Sequence, residues 1–211
     1  MSLTEEQTQR FGGIERLYGR KALETFLRSH VCVIGVGGVG SWAVESLARS
    51  GIGKITIIDP DEVSKTNINR QLVALDSTIG MGKAEVLVER VSQINPDCQI
   101  TVVEDLLKPE NTRELISSEF DYVIDAIDSA RSKAALIRHC KLRKIKLICI
   151  GGAGGKVDAT QIGIADITKT HNDPLLAKTR SILRYDYDFS RNPKRKYQIP
   201  CVYSTEQAAY P

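Results

Sequence analysis

The stretch VCVIGVGGVGSW, residues 31–42, decides the fold. Four apolar residues, Val31 to Ile34, form a short strand-like run, and a helix-like pattern begins at position 39. Between them stand Gly35, Gly37, Gly38 and Gly40. Gly35 permits a tight turn, Gly37 and Gly38 let backbone N–H groups approach a phosphate, and Gly40 lets the following helix pack closely on the strand. The helix N-terminus then faces the anion. Taken alone, this loop predicts a nucleotide. It leaves open whether the chain moves hydride from that nucleotide or breaks its phosphates.

Outward from the loop, strand-like runs recur at 31–35, 54–59, 99–104, 121–126 and 146–152, separated by helix-like segments at 39–50, 83–94, 109–118 and 130–144. Apolar strands alternating with helices predict an α/β fold: a Rossmann-like, doubly wound, mainly parallel sheet with helices on both faces. Past Gly155 the pattern changes. A strand-like QIGIAD (161–166) leads into a polar, basic segment, 169–198, which ends at IPCVY (199–203). The expected organisation is a single domain over 1–211, with a helical arm at 1–30, a nucleotide-binding core at 31–155 and a strand-containing extension at 156–211. STEQAAYP follows that last strand with no closing helix, so further sequence is expected downstream.

With 211 residues and 42% hydrophobic content, the chain can bury a substantial core. Its net charge of +3 permits an anionic partner without requiring one. Five cysteines (Cys32, Cys98, Cys140, Cys149 and Cys201) include no CxxC pair, which argues against a disulfide framework and a four-thiolate zinc site. The opening MSLTEEQTQRF is too polar for a signal peptide, and no apolar run reaches the ~20 residues of a membrane span. A cytoplasmic protein is expected.

In parallel sheets ligands bind beyond the carboxyl ends of the strands. Asp59 ends the second strand, 19 residues after Gly40, where an acid accepts hydrogen bonds from ribose hydroxyls. The segment after it, DPDEVSKTNINRQLVALDSTIGMGKAEV (59–86), adds Asn67, Arg70, Gln71 and Lys83. A hydride donor has no use for two cations and two amides beside its phosphates. Cleaving a nucleoside triphosphate does, because charge moves onto the leaving pyrophosphate and preorganised donors must meet it. Arg70 is a forked phosphate ligand and Lys83 a point charge. Asp128, three residues after Asp125, suits a Mg²⁺ ion shared with triphosphate oxygens. The competing reading makes Asp128 the cap of the following helix, with Ser129 helping. Asp125 is as readily structural as functional. His30, His139 and His171 have no triad context.

These residues resemble the E1-like adenylating family of ThiF/MoeB/HesA type, whose ATP-binding pattern is matched in order by GVGGVG, Asp59, TNINRQ, Lys83 and DAIDS. Within it, RFGGIERLYG, RSGIGKITIIDPDEV, INP (94–96), IDAIDSARSKAALI, GGAGGKVDATQI and DPLLAKTR are similar to the tRNA threonylcarbamoyladenosine dehydratase branch (TcdA/CsdL type). The resemblance implies ATP and Mg²⁺ as cofactors, with Arg70, Lys83 and Asp128 catalytic. The glycines, Asp59, Asn67 and Gln71 would line the nucleotide, and Asp128 would ligate the metal. It implies a homodimer in which an N-terminal arginine, assigned to Arg16, reaches the ATP of the other copy. The substrate would be tRNA carrying N6-threonylcarbamoyladenosine at position 37, and a cysteine desulfurase with its sulfur acceptor is a further implied partner. Sulfur-carrier activators of the family bind zinc through two CxxC pairs, absent from this sequence, which disfavours a ubiquitin-like partner. The branch also continues past position 211 with a cysteine-bearing segment and helices, and Cys201 is not its equivalent.

An RNA substrate calls for cations. Residues 178–196 carry seven Lys/Arg against two Asp, and 138–146 add five basic residues. Phosphate contacts of this kind position a nucleic acid, and Tyr185, Tyr187 and Phe189 offer stacking surfaces for unpaired bases. Two other functions stand against the dehydratase: an adenylating activator of a sulfur-carrier protein, and an NAD-binding dehydrogenase or nucleotide sensor.

Overall fold

β1 (His30–Ile34) and β2 (Lys54–Ile58) run parallel, with Ile34 level with Ile58, so both strands end side by side. The computed structural model describes residues 3–209; Met1, Ser2, Tyr210 and Pro211, at the ends of the expected arm and extension, lie outside the described residues. The chain has a Rossmann-like α/β fold with mostly parallel strands and divides into two compact units.

The first unit runs to Leu106 and includes Glu119–Asp121. Its strands are ordered β3-β2-β1 and all parallel, β3 being Gln99–Val103. Val31–Ile34 and Ile55–Ile58 are buried throughout, each large side chain contributing about 1.5–3 kcal/mol. α1 (Glu5–Tyr18) opens on a capping box in which Thr4 and Gln7 satisfy each other's backbone N–H groups, and a short α2 (Arg20–Phe26) follows. α3 (Gly40–Arg49) and α4 (Lys83–Ile94) lie where the sequence pattern predicts helices.

The second unit comprises Leu107–Ser118 and the chain from Tyr122 onward. Its strands are ordered β4-β5-β7-β6: β4 Tyr122–Asp125, β5 Leu147–Ile150, β6 Ile162–Asp166 and β7 Pro200–Ser204. β4, β5 and β7 are parallel, whereas β6 joins β7 antiparallel. The helix expected over 109–118 shrinks to α5, Thr112–Leu115. Asn111 spends its side chain on the Lys108 N–H and Thr112 its hydroxyl on the Lys108 carbonyl, local bonds that compete with helix. α6 (Ala130–Arg143) ends on a left-handed Lys144. The polar segment 169–198 resolves into α7 (Pro174–Asp186), capped by Asp173, and an exposed loop.

Candidate nucleotide site

The glycine loop and Asp59 are neighbours because the strands that carry them end together. Gly35 has a φ of +79°, a conformation that only glycine adopts freely, and its N–H donates to the Ile58 carbonyl. The chain therefore turns sharply off β1 and across the tip of β2. The buried Asp59 carboxylate accepts the Val36 N–H at 2.6 Å on one oxygen and the Asp61 N–H at 2.8 Å on the other. Asp59 thus braces both turns as well as presenting its remaining lone pairs.

The segment 59–86 folds back on itself. Residues 61–63 pair with 80–83 through Val63 to Met81, Gly80 to Val63 and Lys83 to Asp61, each N–H donating to a carbonyl. That return delivers Lys83, the first residue of α4, to the end of β2, where its buried ammonium meets the exposed Asp61 carboxylate at 2.8 Å. Sequence reasoning missed Asp61; its only signal was a second acid two residues after Asp59. The excursion between those arms brings Arg70 and Gln71 against the glycines. A Cβ on Gly38 would lie 3.4 Å from the Arg70 Cγ, and one on Gly37 would lie 3.6 Å from the Gln71 Nε2. Arg70 is exposed, with one guanidinium nitrogen donating to the Thr66 carbonyl and to Asn69 Oδ1. Trp42, at the start of α3, donates to the Arg70 carbonyl. Gln71 is buried and its Oε1 has no partner among the described residues, an acceptor left for a ligand. Asn67 is also buried and caps the turn over Lys65–Asn67, accepting the Ser64 N–H at 3.0 Å. The first unit therefore gathers Gly35, Gly37, Gly38, Gly40, Asp59, Arg70, Gln71 and Lys83 around one strand end. Arg16 stands apart on the last turn of α1, exposed, its guanidinium folded back over Gly12 and Gly13.

In the second unit, β4 ends at Asp125, and the two acids of DAIDS part company. Asp125 is fully buried against an equally buried Lys133 at 2.8 Å. One of its oxygens also accepts the Ile127 N–H, and the other has no partner among the described residues. Ser129 caps α6, accepting the Ser132 N–H. Asp128 is thus not the cap: its carboxylate is exposed and has no partner among the described residues. Among the described residues no three His, Cys, Asp or Glu side chains converge on a metal position, so a divalent cation at Asp128 would need phosphate oxygens to complete its shell.

The ThiF family profile matches residues 13–201. The chain belongs to the ThiF family. The tRNA threonylcarbamoyladenosine dehydratase of Haemophilus influenzae is 55% identical over 211 residues, covering 100% of this chain and 81% of that protein. Crystal structures of Escherichia coli tRNA N6-threonylcarbamoyladenosine dehydratase, one with ATP and one with AMP, superimpose with TM-scores of 0.97 and 0.96 at 53% identity, each covering 100% of this chain and 87% of that one. The molybdopterin-synthase adenylyltransferase of Escherichia coli is more distant, at 35% identity over 130 residues, 62% of this chain and 51% of that protein.

In this ThiF-family chain burial works against a thiolate at three of the cysteines. Burial pushes the Cys98 thiol up to about 11. Burial, with the Asp125 charge adding to it, takes Cys140 to about 12. Cys149, fully buried, is raised well above the thiol range by burial and then by its contact with Cys201 on the adjoining strand. The histidines are equally committed: His139 is buried against the Ile116 carbonyl, His30 bonds the Thr56 hydroxyl and His171 the Tyr203 hydroxyl. The site gathers cations and amides rather than activated nucleophiles.

Proposed function

We propose that this chain is an ATP-dependent dehydratase that acts on N6-threonylcarbamoyladenosine at position 37 of tRNA. The observation that carries the reading is the gathering of Arg70 and Gln71 at the glycine loop, with Lys83 beside Asp61 at the neighbouring strand end, in a ThiF-family chain, supported by ATP- and AMP-bound structures of a relative 53% identical to it. The threonyl carboxylate attacks the α-phosphate of ATP, the bond to the β-phosphate breaks and pyrophosphate leaves. The carbamoyl group, tethered beside the activated carbonyl, then closes a ring on it, losing a proton as AMP departs with the former carboxylate oxygen. Atoms balance as loss of one water, with ATP converted to AMP and pyrophosphate. Tethering replaces an enzyme nucleophile, which agrees with thiols that burial pushes up.

The residues divide the work. Backbone N–H groups of Gly37, Gly38 and the start of α3 take phosphate oxygens. Asp59 and Gln71 hold the ribose and base, and Asn67 keeps the turn that presents them. Arg70 and Lys83 meet the charge that develops on pyrophosphate. Asp128, a free carboxylate, fits Mg²⁺, which binds through one or two carboxylates plus phosphates; when bound, the ion supplies charge neutralisation to the triphosphate. Arg16, exposed and without an ion-pair partner among the described residues, fits a homodimer in which it reaches the nucleotide of a second copy. The resemblance adds a cysteine desulfurase and its sulfur acceptor as protein partners and the cytoplasm as the compartment; among the described residues no helix is long and apolar enough to cross a membrane.

The test is incubation with ATP and tRNA bearing the modified nucleoside, followed by nucleoside mass analysis. AMP and a product lighter by one water are expected in equal amounts. Robust AMP release from unchanged tRNA would overturn the assignment, and an acyl-adenylate on a sulfur-carrier protein would move it to the activator class.

A further inference from the structure

Six of the seven ion pairs among the described residues lie in the first unit, and the seventh is the sealed Asp125–Lys133 pair. Among the described residues, none of the exposed cations on α6, on α7 or in the loop 190–196 is paired with a carboxylate. Two of them rest over aromatic rings instead. The Arg138 guanidinium lies 5.3 Å from the Tyr187 ring centre, and that of Arg191 lies 4.7 Å from the ring of the exposed Tyr185. A guanidinium seated over a ring is restrained without losing its N–H donors.

Complementing helix dipoles explains only part of this charge. Lys141, Arg143 and Lys144 sit at the C-terminus of α6, where cations are favoured. Arg131, the second residue of α6, stands at the end where a cation is disfavoured, Lys178 lies in the N-terminal half of α7, and Arg191 and Lys194–Lys196 lie outside any helix. The helix dipoles do not account for these positions.

Their arrangement is directional. α6 starts immediately after Asp128, and the start of α7 is tied to the end of β5, where Asp173 accepts the Gly152 N–H at 3.0 Å. Both helices therefore lead away from the carboxyl ends of β4 and β5, and the 14 residues of α6 span about 21 Å. At its far end Lys141, Lys144 and Lys146 line an open cleft of about 570 Å³ beside Tyr122 and Gln198.

The geometry points to a track for an RNA stem: the outer faces of α6 and α7 and the loop 190–196 hold the phosphate backbone of the tRNA anticodon arm, with its loop at the Asp128 end. This rests on the tRNA reading above. A run of exposed cations, interrupted by Asp186 and Asp188 and without carboxylate partners among the described residues, suits a line of phosphates, which position an RNA without reading its sequence.

The experiment measures tRNA affinity by filter binding across a salt series for the wild-type chain, for R138E/K178E/R191E and for the loop variant R191E/K194E/R195E. The loop variant changes side chains with no structural partner beyond the Tyr185 ring, so it folds if the first does not. A control, K21E/K54E/K108E, removes equal charge elsewhere. The track variants should bind tRNA at least about tenfold more weakly at 0.1 M salt, with a salt slope shallower by about two to three, while the control matches the wild type. They should keep AMP formation on the free modified nucleoside at saturating concentration and lose it on tRNA through a higher KM. Equal losses in track and control variants, or unchanged affinity and slope in the track variants, overturn the track, as does capture of an acidic protein in place of tRNA. Because binding is read separately from turnover, tRNA bound on the track but never cyclised would sink the dehydratase reading alone.

Discussion

Asp125 and Asp128 are three residues apart, yet one is sealed beneath Lys133 while the other reaches solvent without a partner among the described residues. That contrast predicts opposite mutant behaviour. Asp128→Ala removes a group that holds nothing in the fold, so its melting temperature should stay within about 2 °C of the wild type. If the carboxylate serves the triphosphate, AMP formation should fall at least about 100-fold. Lys83→Ala should be as severe for AMP formation, and its ion-pair partner Asp61 is exposed and remains solvated when abandoned. Wild-type turnover in either variant would refute these assignments. Lys133→Met has the reverse profile, since it strands a buried carboxylate and should cost about 3–5 kcal/mol in urea denaturation. The double variant Asp125→Leu/Lys133→Met removes both charges and should recover most of that loss. A double variant no more stable than the single one would show that the pair is not the source of the cost. Lys133 was legible in principle: it shares a helix face with Ile137 and Cys140, both buried, and a lysine on an apolar stripe demands a buried acid.

Elements whose boundaries depend on local pattern were readable from the sequence, and those that depend on distant closure were not. The apolar runs at 31–35 and 54–59, the glycine turn and the start of α4 at Lys83 fall where period and composition place them. The antiparallel turn of β6 onto β7 and the return of 80–83 to 61–63 are set by long-range pairing, so the Asp61–Lys83 contact had no local signature. The cap of α7 is another such contact. Asp173 accepts the Leu176 N–H of its own helix and the Gly152 N–H of the GGAGG loop. A Cβ on Gly151 would sit 2.0 Å from its Oδ2. Gly151→Ala should therefore displace the cap and cost about 1–2 kcal/mol or more, read as a lower denaturation midpoint. Ser in place of Asp173 should lose less than Ala there. On α3, burial alone would raise the Glu45 carboxyl, but hydrogen bonds from Arg90 and Arg49 outweigh it and hold it below the ordinary range. A lowered carboxylate contributes stability above its unfolded pKa and loses it as pH falls through the folded one. Glu45→Gln should thus be less stable than the wild type at neutral pH, with the gap closing below about pH 4; a gap independent of pH would exclude the ion pair as its cause.

At the scale of the whole molecule, the question left by the glycine loop was which nucleotide it serves. A fold of this kind accepts dinucleotides and triphosphates alike, so the choice lies in what surrounds the loop. The first unit supplies two cations and an unsatisfied buried amide oxygen on one return loop. The second supplies, just past β4, the exposed Asp128 carboxylate with no partner among the described residues. A hydride cofactor would leave the two cations and the amide oxygen idle, whereas a triphosphate, as proposed, would use each. Binding to the folded chain alone raises stability by about 2.7 kcal/mol when ligand stands at 100 times its Kd. For a chain of 211 residues that corresponds to a rise in Tm of about 5–10 °C. Differential scanning calorimetry with MgATP should record that rise. NAD at the same concentration should leave Tm where it was. Lys83→Ala should shrink the shift with MgATP while leaving the ligand-free Tm close to that of the wild type. An equal shift with NAD would return the loop to the dehydrogenase class, because the surrounding cations would then have no part in the selection.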